Sequence, residues 1–276
     1  MSDFLNNTPE LWMAKLPLPN KESHKHNRGH LLISGSREMT GASRLSARGA
    51  RRMGCGLVYL AVPHEVAPIY MTDSPSNIVL RSEDSGAFRS AIRKSQATAI
   101  LVGPGMKESD TTREIIQRAL HANVPTLIDA GGIGVFTNKP ERLKKAITNQ
   151  AVITPHMGEY EKLFGSDNKT AAQKALDMAK YLKATVVLKG SETYIATYDG
   201  RVAKTETANP WLAIGGTGDV LSGQIAALLA QGMDSFLAAC AGVWFHRQAA
   251  EIIGVGLVAE DIPEHLMHVW KELLKD

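Results

Sequence analysis

Between residues 30 and 190, short apolar runs of strand length alternate with stretches of helical periodicity, and that alternation leaves few folds open. The runs are HLLISG (30–35), GLVYLAV (56–62), ATAILVGPG (97–105), PTLIDAGG (125–132), AVITP (151–155) and ATVVLKG (184–190). Helical patterns separate several of them: RLSARGARRMG (44–54), TTREIIQRALHAN (111–123, with Asp110 as a possible cap), EYEKLFG (159–165) and TAAQKALDMAKYL (170–182). Strands that are apolar throughout are buried on both faces, as in a parallel sheet with crossover helices. Residues 192–206 then read as a hairpin turning at Asp199-Gly200. Two more helices follow, DSFLAACAGVWFHRQAAEIIG (234–254) and IPEHLMHVWKELL (262–274). The expectation is an α/β fold, a mainly parallel central sheet with helices on both faces, in one domain spanning residues 1–276. The first 22 or so residues read as an N-terminal arm closed by Pro17 and Pro19.

Composition narrows the function classes. A hydrophobic content of 44% suits a core of aliphatic residues, and a net charge of +3 is too small and too dispersed to argue for nucleic acid. No run of eighteen apolar residues suggests a membrane span, and the first twenty residues lack the basic and apolar regions of a secretory signal. A cytoplasmic enzyme or binding protein is expected. Cys55 and Cys240 sit in apolar surroundings and read as core thiols. His24, His26 and His30 lie close enough together to suggest a metal. No carboxylate or cysteine completes the set, so a solvated loop is the expectation.

The stretch at 209–232, NPWLAIGGTGDVLSGQIAALLAQG, carries the chemistry. Gly215, Gly216, Thr217 and Gly218 feed into an apolar-periodic helix that ends near Gly232. Glycines here let backbone approach a ligand, and the unpaired first-turn amides favour an anion. A carboxylate beside a bound phosphate is repelled, so Asp219 is out of place unless it takes a proton from a nucleophile attacking that phosphate. The plain alternative is that Asp219 caps the helix and complements its dipole. Ligands of open α/β sheets bind beyond the carboxyl ends of the strands. There this chain places Gly35-Ser36 and 40–42, 103–105, Asp129, 154–159 and 189–193.

These residues resemble the ribokinase-like fold and, within it, the ADP/ATP-dependent NAD(P)H-hydrate dehydratases, which repair hydrated nicotinamide cofactors. The resemblance runs from His24 to about Pro263. It rests on HKHNRGHLLISGS, TGA at 40–42, GPG at 103–105, TPHMGE at 154–159, VVLKGSET at 186–193 and NPWLAIGGTGDVLSG. GGTGD alone marks many small-molecule kinases; with TPHMGE and the NPWLAIGG wording it points to the dehydratases. The chain departs from the family's Asp-Ala-Asp-Ala-Leu, reading Asp129-Ala130-Gly131-Gly132-Ile133, and its SREM stretch before Thr40 differs from the commoner wording.

The resemblance implies a role for each motif. Asp219 is the general base toward the ring hydroxyl of hydrated NADH or NADPH, and Gly216, Thr217 and Gly218 form the anion hole for the transferred phosphoryl. Ala42, Gly105 and His156 contact the hydrated cofactor together with Asp219. Lys189, Gly190, Ser191, Glu192, Thr193 and Gly218 contact the adenine nucleotide, ADP or ATP. Glu159 would hold Mg²⁺ through water, unless it only stabilises its helix; His156 in turn has a capping reading. Asn209 sets a turn. A homotetramer is implied, as is ADP over ATP. Two rivals stand: a vitamin-precursor or sugar kinase of the same fold, which would accumulate a phosphate ester, and a non-catalytic nucleotide-binding regulator.

Overall fold

The computed structural model describes residues 4–147, 150–205 and 209–275. Ten strands form one sheet: β1 (Leu5–Asn6), β2 (His30–Ser34), β3 (Leu57–Val62), β4 (Asn77–Arg81), β5 (Ala99–Val102), β6 (Thr126–Ile128), β7 (Ala151–Ile153), β8 (Thr185–Leu188), β9 (Thr193–Ala196) and β10 (Val202–Thr205). Their order is β1-β10-β9-β8-β7-β6-β5-β2-β3-β4. Every pairing from β4 to β8 is parallel, and only the β8–β9–β10 meander is antiparallel. The expected α/β architecture is therefore the one observed. The carboxyl ends of β2, β5, β6, β7 and β8 open onto a single edge. After β2 the chain moves to β3 on one side, and after β5 it moves to β6 on the other. That divergence is where ligands bind in such sheets.

Alternate strand residues feed two apolar layers, because successive side chains leave a strand on opposite faces. Leu31, Ile33, Leu101, Leu127, Val152 and Val187 pack toward the helices Thr40–Arg52, Thr217–Ala230, Ser235–Ile253 and Asp261–Leu273. Leu32, Ile100, Val102, Ile128, Ile153 and Val186 pack toward Ser85–Ser95, Asp110–Leu120, Pro140–Ala146 and Ala171–Leu182. Both cysteines are buried free thiols.

Some local expectations change. The helix expected from residue 44 begins at Thr40, so the TGA motif is its first turn. Edge strand β4 and the helix Ser85–Ser95 go beyond the elements expected from the sequence. The β4 residues are at most half-buried and show no clean alternation. The cap of Asp110–Leu120 is Ser109, which accepts the Thr112 N–H, with Asp110 already inside the helix. Of the three histidines, His30 leaves the expected solvated loop and, as the strand run from residue 30 expects, starts β2; it is buried and pairs Nδ1 with the Ser95 carbonyl at 2.9 Å and Nε2 with His26 at 3.2 Å. The N-terminal segment is docked. β1 pairs with β10, Trp12 is fully buried, and the Asn7 amide donates to Thr205 Oγ1 (3.0 Å) and the Cys240 carbonyl (2.8 Å).

Candidate active site

The helix Thr217–Ala230 starts at Gly216, whose φ of +95° is left-handed and suits glycine. No side chain caps this end. The first amides of the helix, including Thr217 and Gly218, therefore lack the carbonyl partners that later turns have. Thr217 turns its hydroxyl back to the carbonyls of Leu212 (2.9 Å) and Ile214 (3.1 Å), fixing the turn from below. Asp219 is the third helical residue and does not cap, but as an acid in the first turn it complements the helix dipole, so of the plain reading the cap is absent and the dipole part stands.

Close packing anchors this helix start. Gly223 lies so near the Ser46 carbonyl that a Cβ there would sit 1.9 Å from it, and the Ser46 hydroxyl donates to the Asp219 carbonyl at 2.9 Å. This brings the helix Thr40–Arg52, and with it Leu45, against Gly216. Ala42 is buried in that helix's first turn. Gly105, at φ +71°, packs beside it, and a Cβ on Gly105 would lie 3.0 Å from the Ala42 methyl. Ser36 ties the β2 end to this corner by donating to the Gly105 carbonyl at 2.5 Å. A cleft of about 310 Å³ is lined by Ser36 together with Ser34, Met106 and Thr112 among others; Asp219, Lys189 and His156 are not part of its wall.

The β6, β7 and β8 ends complete the site. Lys189 Nζ lies 2.9 Å from Asp129 Oδ1, and Ser222, one turn beyond Asp219, donates to Asp129 Oδ2 at 2.5 Å. Lys189 also comes close to Gly218, where a Cβ would be 3.5 Å from the ammonium. Burial pushes the Asp219 carboxyl up from 3.8 to about 7; the Asp129 charge adds to this and Lys189 opposes it. For Lys189, burial disfavours the ammonium, but Asp129, Glu159 and Asp219 outweigh it and hold the group above its ordinary value. Deeper in the core, His246 pairs Nδ1 with Gln224 Oε1 at 3.1 Å and is pushed down to about 3 by burial and by Lys189. It stays neutral there.

His156 and Glu159 form a reciprocal cap on the helix Met157–Phe164. The Glu159 N–H donates to His156 Nδ1 (3.2 Å), and the His156 N–H donates to Glu159 Oε2 (2.8 Å). Both capping alternatives are thus present in the structure. With Nδ1 accepting, the proton sits on Nε2 of a largely exposed ring. Burial raises the Glu159 carboxyl, with Lys189 opposing. Among the described residues no three His, Cys, Asp or Glu side chains gather as a metal cluster.

In the nucleotide motif, Gly190 and Ser191 are exposed at the β8–β9 turn and Thr193 opens β9. Glu192 is engaged locally, accepting from Lys204 (2.6 Å) and Tyr194 (2.8 Å). Asn209 sets its turn by accepting the Trp211 N–H at 3.0 Å. The sequence assigns no role to Asp129, Ser222 or His246. For Asp129 the available signal is its place at a strand end; the other two carry none, since they sit mid-helix among apolar neighbours.

A family model described as NAD(P)H-hydrate dehydratase matches residues 30–267. The chain belongs to the NAD(P)H-hydrate dehydratase family. It is similar to the ADP-dependent (S)-NAD(P)H-hydrate dehydratase of Xanthomonas campestris, 34% identical over 267 residues and covering 90% of each chain. The Bacillus subtilis protein of that name is 32% identical over 274 residues, covering 96% of this chain and 97% of its own. A solved Bacillus subtilis dehydratase, co-crystallised with ATP/Mg²⁺, superposes with a TM-score of 0.86 at 29% identity over 99% of both chains. At Gly131, where the chain lacks the second carboxylate of the motif it resembles, a Cβ would lie 1.9 Å from the Met106 carbonyl.

Proposed function

We propose that the protein dehydrates hydrated NADH and NADPH at the expense of ADP, yielding the reduced cofactor, AMP and phosphate. The carrying observation is Asp219. It is a partly buried carboxylate at the third position of an uncapped helix start, facing Asp129 and Lys189, with a pKa pushed up to about 7. A base of that strength suits proton removal near neutrality.

The ring hydroxyl oxygen attacks the terminal phosphoryl while Asp219 accepts its proton. The phosphorus–oxygen bond to the nucleotide breaks, and AMP leaves. The ring nitrogen lone pair then expels phosphate, breaking the carbon–oxygen bond. Loss of a proton from the neighbouring ring carbon restores the dihydronicotinamide. Amides of Gly216, Thr217 and Gly218 receive the migrating charge, with Lys189 beside them. Gly190, Ser191, Glu192, Thr193 and Gly218 border the nucleotide; Ala42, Gly105 and His156 border the hydrated ring. A magnesium ion suits a site with few carboxylates, because it keeps several waters and binds substrate phosphates. Glu159 would hold it through water, using the oxygen that the cap does not engage. When bound, the ion neutralises phosphate charge.

The test is incubation with hydrated NADH or NADPH and either nucleotide. Return of reduced-nicotinamide absorbance with free phosphate is expected, faster with ADP. Accumulation of a phosphorylated product would make the protein a kinase, and no nucleotide turnover would make it a regulator. Gel filtration with light scattering tests the homotetramer, and fractionation of cells the cytoplasmic location.

A further inference from the structure

We propose that Asp129 is a positioning residue, which locks Lys189 and the helix bearing Asp219 into one unit so that the ammonium stays beside the Gly218 turn where a phosphoryl group passes. The proposal rests on the function given above for its rate predictions, though not for its geometry.

Asp129 is 2% exposed, and the two hydrogen bonds described go one to each carboxylate oxygen: Lys189 from the end of β8 and Ser222 from the helix Thr217–Ala230. Three segments far apart in sequence therefore meet at one carboxylate. A buried carboxylate held this way is fixed, because breaking either contact leaves a charge without its partner. The loop is built to put it there. Gly103 lies against the Asp129 carbonyl so closely that a Cβ would be 1.8 Å away, and Ala130 is held at φ +47°, ψ −124°. A non-glycine residue persists in such a conformation only where its surroundings dictate it.

The charges around Asp219 show what Asp129 does. Asp129 and Lys189 act on it directly, Glu159 acts on Lys189 from the adjacent helix, and His246 is the neutral group behind them. With Asp129 in place, the ammonium is occupied and does not pair with Asp219. Without it, Lys189 is free to turn onto the base. Asp219 would then hold its negative charge at lower pH and lose strength as a proton acceptor.

The test compares wild type with Asp129→Asn, Ser222→Ala and Asp129→Glu. In the ligand-free protein, carboxyl ¹³C titration is expected to show the Asp219 midpoint falling by about one pH unit or more in Asp129→Asn, since an adjacent cation or anion moves a carboxyl by about 1–3 units. It should stay near the wild-type value in Ser222→Ala, which keeps both charges. In turnover, Asp129→Asn is expected to lower kcat by about a hundredfold and to move the acid limb of the pH profile down with the midpoint. Asp129→Glu keeps the charge but displaces the ammonium, so the nucleotide KM should rise while the midpoint stays high; it also serves if Asp129→Asn does not fold. A wild-type midpoint and kcat in Asp129→Asn, or a wild-type nucleotide KM in Asp129→Glu, would overturn the proposal. If wild type returns no reduced cofactor from the hydrate but the titration shifts as described, the functional reading fails and the positioning role stands.

Discussion

Two helices start at the same sheet edge with the same local plan and opposite outcomes. Met157–Phe164 and Thr217–Ala230 each have glycine at the second position, Gly158 and Gly218, and an acid at the third, Glu159 and Asp219. In the first, His156 precedes the helix, and the glutamate reaches back to close a reciprocal cap. In the second, left-handed Gly216 precedes it; there is no side chain to share the amides, and the acid is left facing Lys189 and Asp129. A capped start spends its donors on stability, whereas an open one keeps them for an anion. Under the proposed function Asp219 is expected to weigh most on turnover, whereas the His156–Glu159 cap adds local order to the binding roles proposed for those two residues.

The strongest way to break that contrast is Asp219→Asn. Its kcat is expected to fall by about 10²–10⁴, the scale of a lost general base, with ADP binding retained by calorimetry. Activity near wild type would put Asp219 out of the mechanism. Next comes pH. Because the carboxyl is pushed up to about 7, turnover should fall about tenfold per unit below that and level off above it. The same shift has a stability sign. A folded-state pKa above the ordinary 3.8 stabilises the fold below that value, and the contribution is lost as pH rises through about 7. Asp219→Asn should therefore melt higher than wild type at pH 8, and the gap should close toward pH 4.

Gly216→Ala probes the open start itself. The added methyl would meet Leu45 and Ala259 at 2.8 and 2.9 Å from a residue at φ +95°. Turnover is expected to drop about ten- to hundredfold through displacement of the turn. Retained turnover would mean that the turn's shape is not what binds the phosphoryl. Glu159→Ala sharpens the comparison from the other side. Loss of the cap should cost about 1 kcal/mol, a Tm decrease of about 2–4 °C, with a smaller kcat loss than Asp219→Asn. The smallest effect expected is Ala130→Gly, which relieves the loop's backbone but gains freedom in the unfolded chain, and should raise stability by about 0.5 kcal/mol in denaturant melts.

Much of this is legible without the fold. The apolar runs, each buried on both faces, dictate the parallel sheet, and Gly200 closes the hairpin as its Asp-Gly turn requires. The edge strand β4 escapes such a reading because an edge needs no regular burial pattern. His30 carries two readings, head of the strand run and member of the histidine loop with His24 and His26; the fold bears out the strand, and its partner, the Ser95 carbonyl, lies 65 residues away.

The glycine run ahead of an apolar-periodic helix, with an acid just inside it, is a local pattern legible in the chain alone; that Gly216 is left-handed and that Asp219 does not cap come from the folded backbone. The company Asp219 keeps, by contrast, comes from the assembled fold. Asp129 meets Lys189 across 60 residues and Ser222 across 93, through strand order and helix packing that no local pattern encodes. Burial among those charges, rather than the carboxylate's own chemistry, pushes Asp219 up to about 7, the range that its proposed role as base needs.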